Sequence, residues 1–165
     1  MPLNAQIMLS ILAHETSAGD LSRTLRATPA SYALSLSDGT GANQAQIVWS
    51  DSRTVVSPQE TLDLRSLTDT RDGAAVTVAF SAVKVLYVRN KATAADNIVT
   101  LSSALIAYQG VAAGTHIVRS GGLFLCAAPG NDASTEIIST NATITISGAV
   151  GAQYDIVLIG EGTIT

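Results

Sequence analysis

Along most of this 165-residue chain, hydrophobic and polar positions alternate with a period of two. That period sends successive side chains to opposite faces of a strand. Ile7, Leu9 and Ile11 share one face and Met8 and Leu12 lie partly on the other, so Ala5 to His14 fits a strand or a short amphipathic helix, with the strand the preferred reading. Tyr32, Leu34 and Leu36 alternate with Ala33, Ser35 and Ser37, a half-buried strand. Further strands are expected over Gln46–Ser50, Thr54–Ser57, Thr61–Leu67, Val76–Phe80, His116–Arg119, Leu123–Ala127, Glu136–Ser139, Thr143–Ser147 and Tyr154–Ile159, while Ile98–Ile106 begins as a strand and fits a helical turn further on. The densest β-favouring run is AVKVLYVRN, Ala82 to Asn90. Strict alternation would put Val83, Val85, Tyr87 and Arg89 on one face, and Lys84, Leu86, Val88 and Asn90 on the other. Both faces are largely apolar, so this run reads as a central strand covered on both sides. Only Ser81 separates it from Val76–Phe80, too little for a tight hairpin, so one long bent strand fits both stretches.

The breaks have turn chemistry. Residues 38–43 (DGTGAN), Gly121-Gly122 and residues 129–132 (PGND) carry the Gly, Asn, Asp and Pro that turns require. Asp51–Arg53 reads as a polar connector and Thr68–Gly73 (TDTRDG) as a loop. About nine or ten short strands at this spacing predict an all-β sandwich or barrel. A single-domain β-sandwich of the jelly-roll kind suits this length. Residues 1–30 are expected to form an N-terminal strand and an extended polar arm, and residues 31–165 the sandwich.

Composition narrows the function. Only 13% of residues are charged, about half the usual share, and Ser plus Thr supply about a fifth of the chain. A domain wholly exposed to solvent is normally more charged, so a surface covered by other subunits is expected. The net charge is −4, and no basic residue follows Arg119. Nothing here could track a phosphate backbone, so no direct nucleic-acid partner is expected. The start of the chain lacks a basic region before its apolar patch, and His14 and Glu15 cut that patch short. Neither a signal peptide nor a membrane span is expected.

Catalytic and metal signatures are weak. His14, His116 and Cys126 are not at metal-ligand spacing, so no metal or cofactor is expected. Cys126 sits in an apolar run and reads as an inert thiol. Asp69 and Asp72 lack the far glutamate of a calcium loop and read as turn-capping residues. Asp51, Glu60 and Asp63 lie close in sequence but as easily pair with Arg53 and Arg65. A cupin-type metalloenzyme would need more than the two histidines present.

One ordered set of segments resembles a known group. Asp38-Gly39-Thr40-Gly41-Ala42-Asn43-Gln44-Ala45, then Val48-Trp49-Ser50-Asp51-Ser52-Arg53-Thr54, is similar to a pattern in small structural proteins of tailed bacteriophages. Leu86-Tyr87-Val88-Arg89-Asn90, Arg119-Ser120-Gly121-Gly122-Leu123-Phe124 and Tyr154-Asp155-Ile156-Val157-Leu158-Ile159-Gly160 come after these in the same order. The resemblance runs from about Tyr32 to Gly160. It implies a non-enzymatic jelly-roll decoration or cement protein of the virion. Such a protein would be made in the host cytoplasm, sit on the phage head surface, bind the major capsid protein and self-associate as a homodimer or homotrimer. A tail- or fibre-associated β-sandwich binding module is the alternative. Interface anchors are expected among aromatic and arginine residues: Trp49, Arg53, Tyr108 and Arg119, with Arg23 and Arg26 in the arm.

Overall fold

The computed structural model describes residues 2–17, 23–26, 30–94, 97–103, 114–130 and 142–165, with the backbone alone at 14–17 and 23–26. Among them every regular element is a strand: β1 (Ala5–Ile11), β2 (His14–Ser17), β3 (Arg23–Arg26), β4 (Ala30–Asp38), β5 (Gln44–Ala45), β6 (Ile47–Thr54), β7 (Gln59–Asp63), β8 (Leu67–Arg71), β9 (Ala74–Asn90), β10 (Val99–Ser102), β11 (Thr115–Val118), β12 (Leu123–Ala127), β13 (Thr143–Gly148) and β14 (Gln153–Ile164). The strand expected over Glu136–Ser139, and the second half of the turn at 129–132, lie outside the described residues.

Two antiparallel sheets form the body. The central sheet runs β12-β9-β14-β6, with β8 paired to the first part of β9, and the facing sheet runs β11-β10-β13-β7. The pairing is nested in sequence: β6 with β14, β7 with β13, β9 with β12 and β10 with β11. The chain crosses between the sheets at almost every step, so most of its contacts are long-range. Their inner faces meet in one apolar core. Ile47, Trp49, Leu86, Val88, Ile156 and Leu158 of the central sheet pack against Leu62, Val99, Leu101, Ile144 and Ile146 opposite. Each such buried side chain contributes about 1.5–3 kcal/mol relative to exposure.

A third layer covers the outer face of the central sheet. β1 pairs with β4 along its whole length, and β4 pairs in parallel with the short β5. Leu34, Leu36 and Ala45 from this layer, with Leu3, Ala5 and Ile7, pack on Val85, Ile159, Val48 and Val157. The central run is therefore covered on both faces, as its two apolar sides predict. β2 and β3 pair with each other, antiparallel. The arm expected within residues 1–30 thus includes regular strand at 14–17 and 23–26.

Five local expectations need correction. The strand expected over Thr61–Leu67 is instead the end of β7 and the first residue of β8, parted by a turn at residues 64–66. Val76–Phe80 and Ala82–Asn90 are indeed one strand, the 17-residue β9, but strict alternation along it fails. Its register on β14 shifts between Ile159 and Gly160 and again between Glu161 and Gly162. Lys84 and Ser81 are the extra residues, and each bulge flips the facing of the strand beyond it. Val83 consequently joins Leu86 and Val88 in the inner core rather than sharing a face with Val85. Asp51–Arg53 is no connector: β6 continues to Thr54, because β14 extends far enough to pair with it through Gln153. Thr54–Ser57 is accordingly the end of β6 and a loop, not a separate strand. Most of TDTRDG is also strand. β8 pairs back on β9 through a two-residue turn at Asp72 (φ 52°) and Gly73 (φ 81°), two successive positive φ values that match the twist of a hairpin.

Candidate interaction surface and the polar clusters behind it

The inward-facing residues of β6 end in a polar clamp rather than in more core. Arg53, at the end of that face, reaches across to the facing sheet. Its Nε and Nη2 donate to Glu60 Oε2 on β7 at 3.1 and 2.9 Å, and Nη1 donates to Asp51 Oδ2 at 2.8 Å. Tyr154, opposite Arg53 in the β14–β6 register, donates its hydroxyl to the other Glu60 oxygen. Burial works against the Arg53 charge, but the hydrogen bonds to Glu60 and Asp51 outweigh it, so its pKa rises. Burial first, and then the Glu60 carboxylate, hold the Tyr154 hydroxyl protonated far above its usual range. The clamp thus ties the two sheets together at one end of the core. It brings together two of the clustered acids, Asp51 and Glu60, but with an arginine between them.

A second polar cluster fastens the third layer. Lys84 is 1% exposed, and its Nζ donates to Gly41 O at 2.6 Å and lies 2.7 Å from Glu161 Oε1. The contact with Glu161 is chiefly electrostatic, since no well-aligned hydrogen bond reaches that oxygen. The bulge at Lys84 turns this side chain away from the core and toward residues 38–43. The loop is also held by Asn43 N donating to Pro129 O at 2.8 Å.

The apolar surface lies on β1 and its neighbours. Met8 is 74% exposed, and Leu9, Ile11, Leu12, Tyr32 and Leu123 are exposed as well. Ile7 and Leu34 face each other in register and so do Leu9 and Tyr32, but only the first pair reaches the central sheet. The β1–β4 ribbon overhangs that sheet. Beneath it opens a cleft of about 330 Å³ lined by Ile7 and Leu9 above and by Tyr87, Leu123, Leu125 and Val157 below.

The expected anchors are scattered. Trp49 is 3% exposed, part of the inner core, and its ring N–H donates to Thr68 O at 3.0 Å. In this chain it serves the fold. Trp49→Phe keeps a ring but orphans that carbonyl and removes volume, an expected loss of about 1–2 kcal/mol, read as a lower urea midpoint at unchanged slope. Arg53 is occupied by the clamp. Arg119 follows β11 and is exposed, Arg23 and Arg26 are the end residues of β3, and Tyr108 lies outside the described residues. Composition could not have revealed the β1 surface. Its signal was local: nine residues, Ala5 to Ala13, without a charge, apolar all along one face and at Met8 and Leu12 on the other.

The remaining chemistry-bearing residues stay apart. The His116 ring packs on Phe124, with centroids 4.5 Å apart. Cys126 is half-buried on β12, and burial pushes its pKa up. Asp69 accepts from Thr70 N and pairs with Arg71 at 2.9 Å, which gives it a structural role within the β8 hairpin. Among the described residues, no three metal-ligating side chains come together.

Asp155 offers a pH handle. A hydrogen bond from Ser52, and next Lys91 at 3.4 Å, hold its carboxyl below the usual range. The native state then binds fewer protons than the unfolded chain near the ordinary carboxylate value of about 3.9. The stabilisation is present above that value and is lost as pH falls through the lower native one. The side chain is 30% exposed, so the effect is small. Asp155→Asn is expected to remove roughly a few tenths of a kcal/mol at neutral pH and nothing in strong acid, measured by urea unfolding at both pH values.

A scan of family profiles and searches of curated proteins and of solved structures find no match to this chain.

Proposed function

We propose that this protein is a non-enzymatic virion subunit of a tailed bacteriophage, a jelly-roll decoration or cement protein that binds the major capsid protein shell. The observation that carries the reading is the uncharged apolar ribbon of Met8, Leu9, Ile11, Leu12 and Tyr32. A patch of this kind on an all-β domain suits permanent contact with protein. Two further observations support it. The nested pairing of β6 with β14, β7 with β13, β9 with β12 and β10 with β11 is the pattern expected of an eight-stranded jelly roll. The segments that resemble the phage proteins also converge: four fall on or beside β6, β9, β12 and β14, and DGTGAN docks on that sheet through Lys84.

The mechanism is mechanical. A cement protein adds buried area across the seams between shell subunits, and attachment at several points makes that area hard to lose. The protein is made in the host cytoplasm and ends on the head surface. In this reading the N-terminal arm, which includes β2 and β3, contacts a neighbouring subunit.

The test is stoichiometry in purified particles against the major capsid protein, by calibrated mass spectrometry. Many copies in fixed ratio to that protein are expected. A handful per particle would move the protein to the tail or a single vertex. Absence from particles would overturn the reading.

A further inference from the structure

The layer of β1, β4 and β5 is tied to the body of the molecule at one end only. Among the described residues it shares no strand pairing with the central sheet. Its polar ties to the body there all fall within residues 41–46. Lys84 Nζ donates to Gly41 O at 2.6 Å, while Asn43 N donates to Pro129 O and Gln46 N to Gly160 O, both at 2.8 Å. Everywhere else apolar side chains alone hold the layer. Its buried contact with the sheet rests on five residues, Leu34, Leu36, Ala45, Val85 and Ile159, against twenty in the inner core. Away from the tied end even this contact stops. Ile7 and Leu34 still reach the sheet, but at Leu9 and Tyr32 the ribbon stands off it, over the cleft of about 330 Å³.

We infer that this layer is a hinged flap, which pivots on residues 38–46 and lifts from the central sheet while the two-sheet body stays folded. Local opening begins where few buried apolar contacts hold an element, and the flap has few and has them near its hinge. Lys84 is the latch. When the flap lifts, Lys84 exchanges the Gly41 carbonyl for water but keeps Glu161 at 2.7 Å, so opening strands no charge. Once off the sheet, the β1–β4 ribbon has little to hold it, since two strands alone are marginal in water. Opening uncovers an apolar strip of the central sheet, Val85, Leu125, Val157 and Ile159, on which the closed flap packs. The flap is a property of the isolated chain, so it can fail while shell binding stands.

The test is thiol labelling of the purified chain with iodoacetamide, in a Cys126→Ala background. Val85→Cys places a thiol under the flap, and Val88→Cys places one in the inner core. The native valines are 2% and 0% exposed, so neither thiol reacts until something opens. Labelling is expected to run at least about tenfold faster at Val85→Cys than at Val88→Cys. A further change separates the two openings. Ile144 belongs to the inner core, and Ile144→Val weakens that core alone. It should speed labelling at Val88→Cys about fivefold and leave Val85→Cys unchanged, because a flap that lifts off a folded body loses no core packing. Equal labelling rates at the two positions, or equal acceleration of both by Ile144→Val, would mean that layer and body open as one and would overturn the flap.

Discussion

Glu161→Ala is expected to destabilise the fold by about 3–5 kcal/mol, far more than the loss of one partly exposed carboxylate would suggest. Its partner Lys84 is 1% exposed, so the ammonium left behind cannot turn to solvent. Among the described residues it would keep only the Gly41 carbonyl at 2.6 Å, a neutral acceptor for a full charge. Combining Glu161→Ala with Lys84→Met removes the stranded charge and should recover a large part of the loss. A double-mutant cycle on urea unfolding measures this directly. Equal losses in Glu161→Ala and in the double variant would show that packing, not charge, accounts for the effect. Lys84→Met alone should also loosen residues 38–43, seen as faster amide exchange at Asn43 and Gln44.

Gly160→Ala is expected to cost about 3 kcal/mol or more, enough to unfold a marginal domain. An added Cβ would collide with Ala82 O and lie 3.0 Å from Val83 Cα, backbone atoms that cannot swing aside. Gly162 stands the same way at the second bulge, where a Cβ would collide with Ala79 O. These two glycines let β9 carry an extra residue at each register shift while β14 stays close. Gly73 separates clash from backbone conformation. It has a positive φ of 81° but nothing within 4 Å of an added Cβ. Gly73→Ala should therefore cost only about 1–2 kcal/mol, the penalty for a left-handed residue with a side chain. Melting temperature, or soluble yield where Gly160→Ala fails to fold, gives the comparison. Equal losses at Gly160 and Gly73 would refute the close approach as the cause.

Local pattern reaches further in some strands than in others. Alternation alone was enough for the strands whose faces switch cleanly, β4, β13 and the first part of β14, because facing follows from a fixed period of two. It was also enough to show that Ala82–Asn90 would be buried on both sides and continuous with Val76–Phe80. Facing within that strand was set only in three dimensions. The bulges at Ser81 and Lys84 exist because β14 holds its register on β9 through Gly160 and Gly162, and no local signal marks a residue without a partner. The length of β6 likewise depends on β14 lying beside it.

The sites divide the same way. Arginine and aromatic content pointed to Trp49 and Arg53 as contact residues, but exposure depends on which sheet faces which. The nested pairing places Trp49 in the core and turns Arg53 toward Glu60 across the sandwich. The uncharged run Ala5–Ala13 was visible in the sequence, yet the same run would read as core if another strand covered it. Its place at an edge emerged only from the folded chain, where β4 is its one strand partner among the described residues. Alternation is a property of neighbouring residues and can be read along the chain. Burial, register and edges are properties of pairs far apart in sequence, and only the folded arrangement sets them.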